Sequence, residues 1–226
     1  MEVKLRKENF KGVNFYRIFK EPENGKSYTE KKALLLLHGY GSSKEEILPF
    51  GINLVFLNSE WEVFIPDLPG HGESDEILSQ ASVKKFLSLL KDFDFFLVCG
   101  HSLGARISLL TEAENYLLIS PPLSPEFSGS KKELLKTLRA RRVKEEKPYQ
   151  GLTELLTALP VNFVENKNYF LVYSKNDLKS VLEFVNTFKN RCTEVHSCRD
   201  SFHNDIITSY EFFDVLKAWV KKYFQK

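Results

Sequence analysis

The sequence predicts an α/β fold in which a mostly parallel, doubly wound central β-sheet of about seven to eight strands is flanked by helices and carries a small helical lid. Short apolar runs alternate with amphipathic stretches, which is the pattern of βαβ units around a parallel sheet. Residues 33–37 and 95–99 are almost continuously apolar, as central strands buried on both faces are. With 226 residues, 42% of them hydrophobic, the chain is long enough for one such domain, spanning residues 1–226.

The strands follow from the position of the apolar runs along the chain. Seven segments end at Gly, Pro, Asp, Ser or another turn residue and have the length of a strand. These predicted strands are residues 13–19, 33–38, 62–66, 95–99, 116–120, 169–173 and 194–198.

Helices are expected where a polar residue precedes apolar residues at helical spacing. The expected helices begin after Ser43, after Ser79, from Ser102, from Leu178 and from Asp205. The last of them has an apolar residue at every third or fourth position, so that one stripe can pack on the sheet. This stripe consists of Ile206, Tyr210, Phe213, Leu216 and Val220.

Residues 121–160 break this rhythm and predict the small inserted lid. They begin with a Pro/Ser-rich turn and continue as a basic amphipathic stretch around Leu134, Leu135 and Leu138. Residues 131–147 carry eight Lys or Arg and three Glu, a local charge of +5. A solvated helix face explains such a charge run. Transient contact of the lid with a lipid surface or an anionic substrate is the alternative.

The remaining composition narrows the classes of function. The net charge of the whole chain is only +2, which gives no global field for nucleic acid. Cys99, Cys192 and Cys198 lack the paired spacing of a disulfide framework or a zinc site. The N-terminal residues contain no apolar signal run, and no apolar stretch approaches the ~18 residues of a membrane span. We therefore expect a cytoplasmic protein.

The motif Gly-His-Ser-Leu-Gly at residues 100–104 follows an apolar strand and precedes a helix-compatible run. In that context G-x-S-x-G forms a sharp strand-to-helix turn that holds its serine out at the carboxyl end of the sheet. Ser102 is therefore the predicted nucleophile. The alternative is a serine that only caps a helix after a glycine turn.

A serine hydroxyl is a weak nucleophile at neutral pH, so this interpretation requires a histidine base. His203 is the candidate, because its polar loop, residues 199–204, lies between the last strand and the last helix. The other histidines lie in glycine turns, inside a predicted strand, or beside the serine, where the ring should point elsewhere. They are His38 and His71, His196, and His101. A surface loop histidine without a role is the alternative reading of His203.

Asp177 is the predicted acid that orients the base. It ends the segment 174–177, which closes the strand 169–173 at its carboxyl end, so the order Ser, Asp, His is satisfied. An N-cap of the next helix is its structural alternative. The competing acids are Glu126, Asp200 and Asp205.

The motif His-Gly-Tyr-Gly at residues 38–41 follows the other strongly buried strand. A glycine-rich turn there can aim backbone amides at a carbonyl oxygen. We predict that the N–H groups of Tyr40 and of Leu103, the residue after the nucleophile, form an oxyanion hole. Such turns also occur as plain loops, so this prediction depends on Ser102.

From about residue 33 to the C-terminus the chain resembles the α/β-hydrolase superfamily, specifically its esterase-like and lipase-like serine hydrolases with a small lid. The matching features are the motifs at residues 38–41 and 100–104, Asp-Leu-Pro-Gly-His-Gly-Glu-Ser at residues 67–74, and the order of Asp177 and His203. The resemblance implies a Ser, His, Asp triad that needs no metal or organic cofactor. It also implies a chiefly structural role for residues 67–74, which excludes His71 from the catalytic site.

The expected function is hydrolysis of a small-molecule carboxylic ester through an acyl-enzyme. The short region before Asp177 disfavours a deep pocket and favours small or flexible acyl groups. The loop 201–204 lacks the glycine that often precedes this histidine in the family, which leaves its rotamer open. Thioesterase, monoacylglycerol or lysophospholipid lipase and peptidase are alternatives of the same fold. A ligand-binding module that retains the fold without catalysis is the alternative from another class.

Overall fold

Eight β-strands form the centre of the computed structural model, which describes residues 2–21, 31–125 and 139–225. In chain order they are β1 Val3–Phe10, β2 Val13–Lys20, β3 Lys32–Leu37, β4 Trp61–Pro66, β5 Phe95–His101, β6 Ala113–Ile119, β7 Asn168–Ser174 and β8 Glu194–Cys198. They form one sheet in the order β1-β2-β4-β3-β5-β6-β7-β8. β1 pairs antiparallel with β2, and β2 pairs antiparallel with β4. The six strands from β4 to β8 in the sheet order, which include β3, pair parallel. The predicted fold class is confirmed.

Six α-helices cover this sheet within the described residues. They are α1 Lys44–Leu57, α2 Gln80–Leu90, α3 Leu103–Ser108, α4 Gln150–Ala158, α5 Lys179–Phe188 and α6 Tyr210–Phe224. In the described part of the chain, no helix has both the length and the apolarity needed to cross a membrane.

The helices divide between the two faces of the sheet because the side chains of a strand alternate in direction. In β3, Leu34 and Leu36 belong to the apolar cluster that contains α1 and α6. Leu35 and Leu37 belong to the opposite cluster, with α2, α3, α4 and α5. All four leucines are at most 1% exposed, so the near-continuous apolar run does mark a strand buried on both faces.

The last helix begins later than its apolar spacing predicts. Residues Ile206–Thr208 form a separate 3₁₀ turn, and α6 begins at Tyr210 after Ser209, whose hydroxyl accepts the N–H of Phe212 at 3.2 Å. The buried face of α6 is therefore rotated toward Phe212, Leu216, Trp219 and Val220. Tyr210, which the predicted stripe includes, is 92% exposed.

Only part of the predicted lid belongs to the described residues. Residues 121–125 and 139–160 are described, and they contain α4, which contacts α2 and α3. The apolar residues Leu134, Leu135 and Leu138 lie outside the described residues. The bounds of the lid and the single-domain organisation remain predictions.

Both ends of the lid are joined to α3 by one buried side chain, Arg106, which is 1% exposed. Its Nη1 donates to the carbonyl oxygens of Pro122 at 2.8 Å and Leu123 at 2.9 Å, and its Nη2 donates to that of Leu159 at 2.6 Å. Burial lowers the pKa of this guanidinium to about 10. The three carbonyl groups replace the solvation that burial removes from the cation.

Candidate active site

Three loops meet at the carboxyl end of the parallel strands and bring Ser102, His203 and Asp177 together. Ser102 follows β5, Asp177 follows β7, and His203 lies in the loop after β8. His203 Nε2 lies 2.9 Å from Ser102 Oγ, and His203 Nδ1 lies 2.6 Å from Asp177 Oδ1. These distances are those of hydrogen bonds, so the three side chains form one continuous row.

The backbone of Ser102 has an unusual conformation, with φ 54° and ψ −117°. A non-glycine residue at positive φ costs of order 1–3 kcal/mol and persists only when its surroundings impose it. Here the Ser102 N–H donates to the carbonyl oxygen of Ile119 at 2.8 Å, and the next residue begins α3. The sharp turn presents the hydroxyl to His203 at the N-terminal end of that helix.

Asp177 is buried and is held from several sides. Its Oδ2 accepts the Ser120 hydroxyl at 2.6 Å and the N–H of Ser174 at 3.2 Å, while Oδ1 also accepts the N–H of Leu178 at 2.8 Å. Burial alone would raise the pKa of this carboxyl, but the hydrogen bonds and charge of His203, with the bonds from Ser120 and Leu178, lower it overall. Asp177 is therefore an ionised acceptor, and the Nδ1 that faces it carries the proton of His203.

His101, the residue beside the serine, contacts the backbone of His203. Its Nε2 lies 2.7 Å from the backbone carbonyl oxygen of His203, so this nitrogen donates and carries the proton. Burial is the main reason that the pKa of His101 falls to about 3, and the charges of His203 and Arg139 also lower it. His101 is therefore neutral near pH 7 and holds the backbone of His203.

The other candidate histidines lie outside this row of hydrogen bonds. His38 Nε2 accepts the N–H of Leu68 at 3.0 Å, and His71 Nδ1 lies 2.9 Å from the carbonyl oxygen of Pro69. His196 is in β8 and faces Glu211 at 3.8 Å.

The competing acids are also placed elsewhere. Asp205 accepts the N–H of Phe202 at 2.5 Å and so closes the loop of His203 from within. Asp200 is exposed. Glu126 lies outside the described residues.

The glycine turn, residues 38–41, lies directly against the serine. A Cβ added to Gly39 would be 3.2 Å from the Cβ of Ser102. Leu103 is the first residue of α3, so its N–H has no acceptor within the helix. The turn that carries Tyr40 and the start of α3 thus border the same point beside the Ser102 hydroxyl.

A lysine that follows this turn in the chain forms a cluster with three carboxylates. Lys44, at the start of α1, is fully buried, and its Nζ contacts the carboxylate of Asp67 and lies 2.9 Å from Glu73 Oε2 and 3.1 Å from Glu45 Oε1. Burial would lower the pKa of Lys44, but the hydrogen bonds that it donates to Asp67 and Glu73 raise the pKa overall. Within the described residues, these three carboxylates are the one group with the spacing of a metal site. The ammonium of Lys44 contacts all three of them.

Comparison with known protein families places these motifs in context. The model of the alpha/beta hydrolase family matches residues 34–183. No curated protein sequence gives a significant match.

Several solved structures share the fold at low sequence identity. A soluble variant of monoglyceride lipase from Saccharomyces cerevisiae is 16% identical with a TM-score of 0.68, and the alignment covers 98% of this chain and 97% of that one. A structure from work on carboxylesterases of Nitrososphaera gargenis is 16% identical with a TM-score of 0.66, covering 97% and 98%. An esterase from Pyrobaculum calidifontis is 15% identical with a TM-score of 0.65, covering 98% and 85%.

Proposed function

Because the chain belongs to the alpha/beta hydrolase family, we propose that it is a serine hydrolase that cleaves carboxylic esters with small or flexible acyl groups. The observation that carries the proposal is the continuous row of hydrogen bonds from Ser102 through His203 to Asp177. A nucleophile, a base and an orienting acid within hydrogen-bond reach are what acyl transfer by serine requires. The esterases and lipases among the structural neighbours support the same class.

Acylation begins when Ser102 Oγ attacks the ester carbonyl carbon while His203 Nε2 takes the hydroxyl proton. Asp177 stabilises the imidazolium that forms, because its Oδ1 already accepts the Nδ1 proton. The tetrahedral intermediate collapses as the bond from carbon to the alcohol oxygen breaks. His203 gives its proton to the leaving alcohol, and the acyl group remains on Ser102.

Deacylation repeats these steps with water in place of the serine hydroxyl. His203 takes a proton from water as the water oxygen attacks the acyl carbon. The bond from that carbon to Ser102 Oγ then breaks, His203 returns the proton to Oγ, and the carboxylic acid is released. In both steps the oxyanion accepts the backbone N–H groups of Tyr40 and Leu103. One such donor is worth roughly 3 kcal/mol of barrier in comparable enzymes.

The first test is labelling with a fluorophosphonate, followed by intact and peptide mass spectrometry. We expect one adduct, on Ser102, which is lost in His203→Ala because the base activates the hydroxyl. Ser88→Ala is the matched control, since Ser88 is an exposed residue of α2 that bonds only to the carbonyl oxygen of Lys85. Labelling of folded protein at another serine, or none at all, would contradict the proposal.

Turnover gives the second readout of the same prediction. On 4-nitrophenyl butyrate, Ser102→Ala should lower kcat by about 10⁴-fold or more without changing the far-UV circular dichroism spectrum. Thioester, monoacylglycerol and peptide anilide substrates then rank the acyl classes. Faster turnover of an anilide than of the matched ester would replace the esterase assignment with a peptidase.

A further inference from the structure

We propose that Arg139 binds a carboxylate on the substrate, so that the enzyme selects esters whose acyl or alcohol part carries a negative charge near the scissile carbonyl. This inference rests on the proposed esterase function of Ser102. It depends on where Arg139 lies, on the absence of a hydrogen bond or ion pair to its guanidinium among the described residues, and on the bonds that nearby charged groups make with other residues.

Arg139 lies against the glycine turn beside the serine. A Cβ added to Gly41, which has φ 69°, would be 2.6 Å from the Cβ of Arg139 and 2.9 Å from its carbonyl oxygen. Gly39, two residues earlier, approaches the Cβ of Ser102 to 3.2 Å on the same measure. Two residues span no more than about 7.6 Å of chain. The lid therefore places this arginine at the rim of the site.

Two carboxylates of this region, those of Glu46 and Glu145, are bound by other groups. Glu46 accepts Nη1 of Arg142 at 2.5 Å. Glu145 accepts the Tyr40 hydroxyl at 2.5 Å and the backbone N–H groups of residues 149 and 151 at 2.7 and 3.1 Å. Among the described residues, the guanidinium of Arg139 consequently has no hydrogen bond and no ion pair.

The surroundings of Arg139 also remove water from it. Arg139 is half-buried, and burial lowers its pKa although Glu46 acts in the opposite direction. Its charge reaches the ring of His101, the neighbour of the nucleophile. A partly desolvated cation without a counter-ion binds an anion more favourably than a fully hydrated one does.

The charge of the site matches a single carboxylate. Of the basic residues that follow Arg139, Arg142 is paired with Glu46, and Lys144 Nζ donates to the carbonyl oxygen of Ser74 at 2.6 Å, while Arg141 and Lys147 are exposed. Arg139 is the half-buried guanidinium of this segment, and it can donate two parallel hydrogen bonds to one carboxylate.

The experiment compares esters of equal acyl length with and without the charge. Mono-4-nitrophenyl glutarate carries a carboxylate on the acyl chain, 4-nitrophenyl pentanoate is its neutral match, and the pentanoate ester of 3-carboxy-4-nitrophenol carries the charge on the alcohol side. We expect the wild type to favour one charged ester, and the side it favours locates the carboxylate. Rates with Ser102→Ala are subtracted to remove self-hydrolysis of the glutarate.

Arg139→Gln should lower kcat/KM for the favoured charged ester roughly 10- to 100-fold, mainly through KM, because a hydrogen bond to a charged group is lost. It should change the neutral ester less than about twofold, within the range of a surface substitution. Arg139→Lys should retain part of the preference, and Arg142→Gln, in which the paired neighbour is changed, should retain all of it.

The wild type provides a test that needs no variant, since raising the salt concentration should reduce the preference by screening the charge. Equal hydrolysis of charged and neutral esters by the wild type would overturn this inference alone. An equal loss on both esters in Arg139→Gln would do the same. A wild type that hydrolyses neither ester and is not labelled at Ser102 would overturn the proposed function together with this inference.

Discussion

At the scale of single residues, His203 is held at two points by two different residues. Asp177 binds the ring of His203 through Nδ1, and His101 binds its backbone through the carbonyl oxygen at 2.7 Å. A ring held only by its acid partner could still shift with the loop. The bond from His101 fixes the loop itself, so the Nε2 of His203 stays within reach of Ser102.

This geometry predicts that His101 is a positioning residue. His101→Phe keeps an aromatic ring but removes the donor, and kcat on a neutral aryl ester should fall about 10- to 100-fold with KM unchanged, because displacing a catalytic group by about 1 Å has effects of this size. His101→Gln can still donate and should recover most of the rate. Equal activity of the two variants would show that the bond does not matter.

The sequence was sufficient to select the three side chains that the structure brings together, because each of Ser102, Asp177 and His203 follows a recognisable strand at the same edge of the sheet. Their catalytic roles remain predictions. The partners Ser120 and His101 were not identified as such. Both also follow or end strands, but their contacts depend on where the loops after β7 and β8 lie, and no local pattern encodes that.

At the scale of secondary-structure elements, hydrogen bonds connect α3 to both ends of the predicted lid. Arg106 projects from α3 and binds carbonyl oxygens at both ends of the lid, at residues 122, 123 and 159. Within the described residues, none of these bonds involves a carboxylate. Arg106 thus links α3 to the main chain of residues 122–123 and of residue 159.

Replacing Arg106 should destabilise the lid more than the sheet. Arg106→Met fills similar volume but leaves three carbonyl groups without their donor, and we expect a loss of about 3 kcal/mol in the free energy of unfolding. Hydrogen exchange of α4 should accelerate more than that of β5. Arg142→Met, an exposed lid substitution, should stay within about 0.5 kcal/mol of the wild type. Matching urea curves for Arg106→Met and the wild type would contradict this role.

β1 and α4 are not predicted from the sequence, because the local sequence signals of both elements are weak. β1 is an edge strand, paired only with β2, and its charged, partly exposed residues lack a continuous apolar run. α4 begins after Tyr149, which has φ 69° and offers no side-chain cap, so no polar start residue marks it. The central strands, in contrast, are buried on both faces and were found with bounds close to the observed ones.

At the scale of the whole molecule, the interior contains three histidines that are at most 5% exposed, His38, His71 and His101. Burial is the main cause that lowers their pKa values, to about 4 for His38 and about 3 for the other two. In the unfolded chain their pKa would be about 6.5. The unfolded state therefore binds more protons than the folded state between these values, and stability decreases as the pH falls.

The predicted decrease in the free energy of unfolding at low pH is large compared with the total stability of a typical domain. At pH 5 each of these histidines disfavours the folded state by about 2 kcal/mol, since 1.5 pH units correspond to that free energy. Urea unfolding at pH 7.5, 6.0 and 5.0 should show the decrease, and His71→Gln should remove about a third of it. His196→Gln, at a partly exposed position of β8, is the control. A free energy of unfolding that stays constant from pH 7.5 to 5.0 would refute the argument.

The long separation of the three site residues along the chain has a consequence for biosynthesis. The bond between Ser102 and His203 joins residues 101 positions apart. During synthesis, which proceeds from the N-terminus, the serine and the glycine turn leave the ribosome long before β8 and the loop that carries the base. Under the proposed mechanism, an incomplete chain therefore contains a serine without its base. Hydrolysis would begin only when β8 has joined the sheet, and the onset of activity would report that the last strand is in place.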